Sequence, residues 1–390
     1  MGSKYKYKSD RMKIKNSIAH STFPSPMVSF TILAGGYDTF VASYLFNSTN
    51  ASLTVTGRFP TGVNPSWITA HPTNRSVFYA VNELDDGALQ SYTTTSNGVV
   101  TGPFDTVPSG GGSPAFAVAL GTGEVAIMNY NGGNGRIIPT SSPLKFVNDS
   151  APVITFPPPA GGVSHPHQAV AHGQEILIPD LGGDKVWRLT ENGGPGNWKI
   201  AGNILQPPGS GPRHVAIRDD RLFTLHELAS TLTIQKFPTL SLNGTAPLIA
   251  NASIIPSHPP AGSQWGAAEI LIPDRTDKFP NSYIYVSNRN IATDPSALDP
   301  RGDTIAIFEH VNVGTKNEGL RLIKQIFTGL SQVRGMEIGR QTNGGDKYLV
   351  ASGVAGTGGT VVFERIDGGA DLKEVARNKD IPTRTSFIWI

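Results

Sequence analysis

The strongest constraint on the fold of this chain is a module of about fifty residues that recurs along nearly its whole length. Each copy opens with a proline or a small residue, forms a short apolar strand, crosses a tight polar turn and continues in a second apolar strand. Two clear copies span residues 65–83 and 211–227, and further copies begin near Ser113, His165, Gln264 and Val333. Repeats of this length, built from short strands, are typical of the blades of a β-propeller, in which equivalent positions of all blades meet at one end of a central channel.

The number of modules predicts seven blades. Six modules begin near residues 65, 113, 165, 211, 264 and 333, and the loop Asn290–Arg301, rich in Asp and Pro, lengthens the fifth interval. The C-terminal stretch Thr385–Ile390 has the pattern of an inner strand alone, so we predict that it joins the first strands after Val28 in a split blade. A split blade closes the ring and leaves no exposed sheet edge. The prediction is an all-β, seven-bladed β-propeller of four-stranded antiparallel blades over residues 28–390, preceded by a basic, unpatterned tail or leader over residues 1–27.

Composition supports this fold and excludes several functions. Glycine (44) and proline (30) are abundant and charged residues make up 16% of the chain, which is typical of short strands joined by turns. The net charge is +2, so we predict no nucleic-acid partner. The chain has no cysteine, which excludes disulfides and cysteine nucleophiles. No stretch is apolar over the roughly eighteen residues that cross a bilayer, so we predict no membrane partner. We expect a monomer that binds a small molecule.

The sequence leaves the cellular location open. Residues 1–27 lack the apolar core of a signal peptide. Asn-X-Ser/Thr sequons weakly favour secretion and glycosylation, since several fall in turn-like segments; they begin at Asn47, Asn50, Asn74, Asn148, Asn243 and Asn251.

Ionisable residues occupy two equivalent positions in several modules, where apolar alternation predicts core. The first position, at the start of the inner strand, carries His165 and His167, Arg213 and His214, Gln264 and Trp265, and Arg334. The second position, at the end of the next strand, carries Asn82 and Glu83, Asp180, His226 and Glu227, and Asn288 and Arg289. Because the two strands form a hairpin, the start of one and the end of the other share one rim of the propeller. We therefore predict a polar cluster at the channel mouth.

Such a cluster suits an anionic or oxygen-rich small molecule. Arginine guanidinium groups bind carboxylates and stabilise oxyanions, and histidine and glutamate exchange protons near neutral pH. A single polar residue in a propeller channel is often structural, whereas the whole set of polar residues indicates a functional site. We assign catalysis to His167, Arg213, Glu227 and Arg289, and substrate binding to His165, His214, Trp265, Glu269 and Arg334. His165 and His167 could form half of a metal site, but no third ligand has a suitable spacing, so we predict no metal and no cofactor.

Three blocks of sequence resemble a known family. They read His165-Pro-His-Gln-Ala-Val with Ile178-Pro-Asp-Leu-Gly-Gly-Asp-Lys-Val, Gly211-Pro-Arg-His-Val-Ala with Leu225-His-Glu-Leu, and Gly266-Ala-Ala-Glu-Ile with Tyr285-Val-Ser-Asn-Arg and Asp303-Thr-Ile-Ala-Ile-Phe. With these blocks in this order, residues 28–390 resemble the seven-bladed lactonase propeller family. That family includes propeller-type 6-phosphogluconolactonase, the fungal carboxy-cis,cis-muconate cyclase and secreted fungal aldonolactonases.

The resemblance implies a site as well as a fold. The muconate cyclase is thought to use a histidine, a glutamate and two arginines, which by resemblance fall on His167, Glu227, Arg213 and Arg289, the same four residues that the equivalent positions select. The chain departs from the family at Ser113-Pro-Ala-Phe, where relatives often carry a Gly-Pro-Cys-His-like step. It also lacks an added basic cluster for a phosphate, which disfavours a phosphorylated sugar lactone.

The leading hypothesis is hydrolysis of an unphosphorylated sugar-acid lactone. Glu227 or His167 would activate water, and the arginines would stabilise the tetrahedral oxyanion. The runner-up is cyclisation or isomerisation of an unsaturated carboxylic acid, in which the arginines bind carboxylates and His167 or Glu227 delivers a proton to carbon. A non-catalytic propeller that binds a ligand or a protein, and a metal-assisted lactonase, are further alternatives.

Overall fold

The structure is a computed structural model that describes residues 1–2, 28–148, 151–239 and 244–390. The prediction of a tail or leader over residues 1–27 falls, apart from Met1 and Gly2, outside the described residues, as does the sequon residue Asn243. In the described part of the chain the strands form seven sheets. The predicted seven-bladed β-propeller is confirmed.

Blades 1 to 4 contain the first half of the chain and its last strand. Blade 1 holds β1 (Ser29–Gly35), β2 (Phe40–Asn47) and β3 (Ser52–Pro60), and is completed by β30 (Ser386–Trp389). Blade 2 holds β4 (Ile68–Ala70), β5 (Val77–Asn82), β6 (Ala88–Thr94) and β7 (Val100–Pro108). Blade 3 holds β8 (Pro114–Ala119), β9 (Glu124–Asn129), β10 (Asn134–Ser142), β11 (Lys145–Phe146) and β12 (Ile154–Thr155). Blade 4 holds β13 (Val170–His172), β14 (Glu175–Asp180), β15 (Lys185–Glu191) and β16 (Trp198–Leu205).

Blades 5 to 7 contain the remaining strands. Blade 5 holds β17 (Pro212–Arg218), β18 (Arg221–His226), β19 (Thr231–Lys236) and β21 (Leu248–Ser253), whereas β20 (Gly244–Thr245) pairs with blade 4. Blade 6 holds β22 (Trp265–Leu271), β23 (Tyr283–Asn290), β24 (Thr304–Val311) and β25 (Gly319–Phe327). Blade 7 holds β26 (Ser331–Ile338), β27 (Tyr348–Ala355), β28 (Thr360–Ile366) and β29 (Asp371–Asn378). Short 3₁₀ helices lie at Pro295–Ala297, Thr342–Lys347 and Asp367–Gly369.

The ring closes through the split blade that the sequence predicts. The last strand, β30, pairs antiparallel with β1, so that Ile388 lies opposite Leu33 and Trp389 lies opposite Ile32. The C-terminal strand is thus the innermost strand of the first blade. This pairing gives both ends of the chain a neighbouring strand and removes an open edge.

The hydrophobic core lies between the blades. Each of the seven gaps between neighbouring blades holds one cluster of buried apolar side chains among the described residues. The cluster between blades 7 and 1 contains Phe46 and Val350, and it seals the ring. Trp187 lies in the cluster between blades 3 and 4. Complete burial of one such side chain contributes roughly 1.5–3 kcal/mol, so the clusters fix the blades relative to one another.

Three local features depart from a regular four-stranded blade. The outer strand of blade 3 is divided into the two short strands β11 and β12. The short strand β20 runs parallel to β16 at the outer edge of blade 4. The loop Asn290–Arg301 contains the 3₁₀ helix Pro295–Ala297, which the side chain of Asp294 caps. Within the described ranges, no helix has the length and apolar character needed to span a membrane.

Tight turns place the candidate residues at one end of the channel. In blade 5, Asp219 and Asp220 join β17 to β18, and both have positive φ angles (49° and 59°), as a two-residue type I′ turn requires. Arg213, near the start of β17, and Glu227, just after β18, therefore lie together at the opposite end of this hairpin. We call this end of the channel the mouth and the other end the base.

Candidate active site

In blades 2 to 6 the end of the second strand carries two neighbouring residues with different surroundings. The first is buried and holds the linker into its own blade: the Asn82 side-chain amide donates to Val63 O at 3.1 Å, and the Asn129 amide donates to Ser109 O at 3.0 Å. Asp180, His226 and Asn288 are buried in the same way. The next residue contributes to the mouth, and in blades 2, 3, 5 and 6 it is Glu83, Tyr130, Glu227 and Arg289.

Glu227 lies between two arginines. Arg213 Nη1 donates to Glu227 Oε2, and Arg289 Nη2 lies 2.8 Å from Oε1. Backbone carbonyls of β22 fix both guanidinium groups: Arg213 Nε donates to Ala268 O and Arg289 Nη2 donates to Ala267 O, each at 3.0 Å. The carboxylate therefore joins blades 5 and 6 at the mouth.

Glu227 and Arg289 are both ionised near neutral pH. Burial disfavours the Glu227 carboxylate, but Arg213 and Arg289 outweigh this effect and lower its pKa to about 2. Burial and the neighbouring Arg213 lower the pKa of Arg289 to about 10. Within the described residues, Arg213 Nη2 and Arg289 Nη1 take no hydrogen bond and are not sealed from solvent. Each arginine thus keeps a free N–H donor.

Two of the mouth arginines lie at β-bulges. The pairing of β17 with β18 passes from Pro212 to His214 and leaves out Arg213. The pairing of β26 with β27 leaves out Arg334 in the same way. A bulge adds one residue to a strand and redirects its side chain. This is how the consecutive residues Arg213 and His214 both reach the channel.

Arg334 belongs to a second cluster at the mouth, with Glu83 and Tyr37. Arg334 Nη2 lies 3.7 Å from Glu83 Oε2, and its guanidinium carbon lies 5.3 Å from the centre of the Tyr37 ring. The Tyr37 hydroxyl donates to Glu83 at 3.0 Å, and the Ser66 hydroxyl donates to the same carboxylate. Tyr37 is exposed as a whole, but desolvation of its hydroxyl, reinforced by Glu83 and opposed by Arg334, raises its pKa to about 12. Burial lowers the pKa of Arg334, but Tyr37 and Glu83 outweigh it, and the pKa is raised.

Beneath these clusters, His167, His214 and Glu269 form a continuous hydrogen-bonded chain across blades 4, 5 and 6. His167 Nδ1 lies 3.2 Å from His214 Nε2, and His214 Nδ1 lies 2.8 Å from Glu269 Oε1. All three residues are at most 5% exposed. His214 therefore contacts His167, and Glu269 contacts His214. Their predicted role in substrate binding stays a prediction.

His167 is neutral near neutral pH. Burial lowers its pKa well below the usual value, and Arg213, His214, Arg334 and Arg289 lower it further. In the described part of the chain, its Nε2 atom takes no hydrogen bond and is not sealed from solvent. His167 thus offers one free nitrogen beside the arginines.

The two remaining sequence candidates lie on the rim. The His165 ring stacks on Tyr130 with the ring centres 4.3 Å apart, and His165 Nδ1 lies 2.8 Å from the Tyr130 carbonyl oxygen. Trp265 precedes Gly266, which pairs with Arg289, and among the described residues the buried Trp265 Nε1 has no hydrogen-bond partner. Over residues 28–148, 151–239 and 244–390, no three His, Asp or Glu side chains gather in a way that could hold a metal ion.

A comparison with protein families assigns the chain to a family. The family model described as the seven-bladed β-propeller lactonases matches residues 31–389. The chain belongs to this lactonase family.

Solved structures share the lactonase fold. A candidate 6-phosphogluconolactonase from Bacteroides fragilis has a TM-score of 0.74 and 21% identity, over 93% of this chain and 98% of the other. The periplasmic gluconolactonase of Pseudomonas aeruginosa has a TM-score of 0.75 and 18% identity, over 93% and 99%. A protein from Lactobacillus plantarum has a TM-score of 0.75 and 20% identity, over 93% and 100%. At these identities the likeness supports the fold. The comparison with curated proteins finds no match.

Sequence reasoning missed two tyrosines at the mouth of this lactonase propeller. Tyr130 follows Asn129 as Glu83 follows Asn82, so an alignment of the modules by position would have found it, whereas a search for ionisable residues did not. Tyr37 follows β1 in the split blade, and the strand that precedes β1 in that blade lies at the other end of the sequence. No local repeat therefore marks it.

The base of the lactonase channel has a different character. A cavity of about 250 Å³ is lined by Trp67, Phe116, Glu337 and Trp389, among others. A second cavity of about 500 Å³ shares Glu337 and Arg340 with it. Burial and the nearby Glu269 outweigh Arg340 and raise the pKa of Glu337 to about 8. These two cavities open at the base, whereas the arginines and glutamates converge at the mouth, and we place the candidate site there.

Proposed function

We propose that this protein hydrolyses a lactone of an unphosphorylated sugar acid at the channel mouth. The observation that carries the proposal is the position of Glu227 between Arg213 and Arg289, beside a neutral His167 with a free nitrogen. Lactone hydrolysis needs a base that takes a proton from water and donors that stabilise the resulting oxyanion. Membership of the lactonase family supports the same class of reaction.

The arginines provide the oxyanion donors. Arg213 Nη2 and Arg289 Nη1 are free, while their other contacts to Glu227 and to β22 hold them in place. Donors that are positioned before the substrate binds stabilise the charge that develops on the carbonyl oxygen without further reorganisation. Loss of one such donor typically lowers kcat by about 10²–10³-fold.

His167 is the better base of the two candidates. A carboxylate with a pKa of about 2, such as Glu227, has little affinity for a proton. The neutral imidazole of His167 has a free Nε2, which can take a proton from the attacking water and return it to the ring oxygen as the C–O bond breaks. In this account Glu227 holds the two arginines and does not itself transfer a proton.

The second cluster suits the hydroxyl groups of a sugar ring. Glu83 accepts a hydrogen bond from Tyr37, and the guanidinium group of Arg334, 3.7 Å from Glu83, offers N–H donors to a ring hydroxyl. Three arginines and two glutamates at the mouth leave one net positive charge, which favours a developing oxyanion but provides little excess charge for a phosphate dianion. The Pseudomonas relative carries the name gluconolactonase and the Bacteroides relative that of a candidate 6-phosphogluconolactonase. The charge count favours the unphosphorylated class.

A substrate panel tests the proposal. Wild-type protein is assayed with gluconolactone, cellobionolactone, phosphogluconolactone and carboxymuconate, with the spontaneous opening of each lactone subtracted. We expect turnover of an unphosphorylated sugar lactone and little of the phosphorylated one. Absence of lactone opening above background would overturn the proposal, and turnover of the diacid in its place would assign cyclisation. Loss of the rate on treatment with EDTA, restored by a divalent ion, would assign a metal-assisted reaction.

A further inference from the structure

The mechanism proposed above uses His167 but not its two buried partners, His214 and Glu269. His214 and Glu269 lie below His167 and are 1% and 5% exposed. Burial of polar groups is unfavourable unless their hydrogen bonds are satisfied. These residues are satisfied mainly by each other and by His167.

The direction of the hydrogen bonds follows from Glu269. Its Oε1 atom accepts the backbone N–H of Ile270 at 3.1 Å, so His214 Nδ1 donates to the same carboxylate. A neutral His214 then has no proton on Nε2, and this nitrogen accepts from His167 Nδ1. His167 is left with an unprotonated Nε2, the atom that a general base requires.

We propose that His214 and Glu269 are positioning residues that fix the tautomer of His167 and relay its proton during catalysis. The proposal rests on the lactone hydrolysis proposed above. The relay is a chain of two imidazoles that ends on a carboxylate, with one residue from each of three neighbouring blades.

The proton moves in two coupled transfers. An O–H bond of water breaks, its oxygen forms a bond to the lactone carbonyl carbon, and its proton binds His167 Nε2. The proton on His167 Nδ1 passes to His214 Nε2, which makes His214 an imidazolium that still donates to Glu269. When the ring C–O bond breaks, both transfers reverse and the ring oxygen receives the proton. The product is the open hydroxy acid, and the protein returns to its starting state.

Charge explains why a relay is favourable here. Arg213, Arg289 and Arg334 oppose a positive charge on His167. Transfer of the proton moves that charge to the imidazole that contacts Glu269, and Glu269 favours a positive charge there. The rings of Trp67 and Phe116 each pack against His214 with centres 5.8 Å apart. These apolar neighbours shield His214, so the proton passes between side chains.

The first test uses the wild-type protein and does not depend on any variant. Histidine labelled with ¹⁵N reports which ring nitrogen carries the proton. We expect His167 to carry it on Nδ1 and His214 to carry it on Nδ1, at neutral pH. A proton on His167 Nε2 would overturn the relay even if the lactonase activity is present.

The second test is Glu269→Gln, which keeps the size of the side chain but removes its charge. We expect kcat to fall about 10²-fold or more while KM changes little, because proton transfer is impaired and the mouth is intact. Glu269→Asp is expected to recover part of the rate. The matched control is Glu318→Gln, since Glu318 Oε1 also lies 2.8 Å from a buried histidine, His310, but far from the mouth on the outer side of blade 6. This control is expected to keep the wild-type kcat.

The outcomes separate the relay from the proposed function. If His167→Ala retains the full lactone-opening rate, the base assignment itself fails. If His167→Ala abolishes the rate but Glu269→Gln retains both kcat and the His167 tautomer, the relay alone is wrong.

Discussion

Two glutamates in the same channel have opposite protonation states. At the mouth, Glu227 contacts two guanidinium groups, and its pKa falls to about 2. At the base, Glu337 is partly buried and lies near Glu269, and these two effects outweigh Arg340 and raise its pKa to about 8. Both residues are largely removed from water, so the presence of hydrogen-bonded arginines decides which of them is ionised.

The two ends of the channel therefore differ in charge and polarity. The mouth presents permanent charges that are fixed by one another and by backbone carbonyls. The base presents aromatic and aliphatic walls with a carboxyl group that is largely neutral near neutral pH. Electrostatic stabilisation of an oxyanion belongs to the first environment.

The largest expected effect is on catalysis at the mouth. Glu227→Gln removes the anion that holds two neighbouring guanidinium groups together, so Arg213 and Arg289 repel each other and lose their positions. We expect kcat/KM for lactone opening to fall at least about 10²-fold. Glu337→Gln, the equivalent change at the base, is expected to leave the rate within a factor of about two. Equal losses in the two variants would abolish the distinction between the two ends.

A second effect separates the charge of an arginine from its geometry. Arg213→Lys keeps the positive charge but lacks the fork that contacts Glu227 and Ala268 O at the same time. We expect kcat to fall by about 10-fold or more, and the loss to be larger for Arg213→Ala. Steady-state kinetics with one lactone measure both variants. A lysine variant as active as wild type would show that charge alone is sufficient.

The acid stability of the protein should depend on Glu227. Its pKa in the folded state lies below its usual value of 4.5, so its stabilising contribution is full above that pH and is lost as the pH falls towards 2. At neutral pH, wild type should exceed Glu227→Gln in unfolding free energy by on the order of 3 kcal/mol. Denaturant unfolding at neutral pH and at about pH 3 tests this dependence. A gap that stays constant across this range would contradict the assigned ion pairs.

The smallest effect is a stabilisation at the base. The raised pKa of Glu337 means that the folded state binds a proton more tightly than the unfolded state, so stability falls as pH rises from its usual 4.5 towards about 8. Glu337→Gln removes this cost, and its melting temperature should exceed that of wild type by a few degrees at about pH 8 but not at about pH 4. Thermal melts at the two pH values measure the difference. A variant less stable than wild type at the higher pH would contradict a neutral Glu337.

The sequence predicts the ring well because the repeat is strong. The strand and turn patterns within each module predict where the modules start, the split blade and the loop Asn290–Arg301. Arg213, Glu227 and Arg289 occupy the two equivalent positions of their modules. Because each hairpin brings the start of one strand beside the end of the next, all three residues lie at one rim.

The details of the site required coordinates for physical reasons. The bulge at Arg213 interrupts the alternation of side chains between the two faces of the strand, and no residue type in the sequence predicts a bulge there. Two neighbouring polar residues at a strand end can have different roles. Asn82 is buried and binds the linker, whereas Glu83 lies at the mouth, and residue type alone does not distinguish them. The hydrogen bonds from His167 through His214 to Glu269 join three blades, so no pattern within one module contains them.

 This hydrogen-bonded chain therefore depends on how blades 4, 5 and 6 pack against one another.

The most direct test of the account is the rate of acid release from gluconolactone by wild type and by Arg213→Ala, measured side by side with spontaneous opening subtracted. The account predicts a wild-type rate that is proportional to protein concentration and a rate for Arg213→Ala that is lower by at least about 10²-fold. A wild-type rate at the background level, or equal rates for the two proteins, would contradict it.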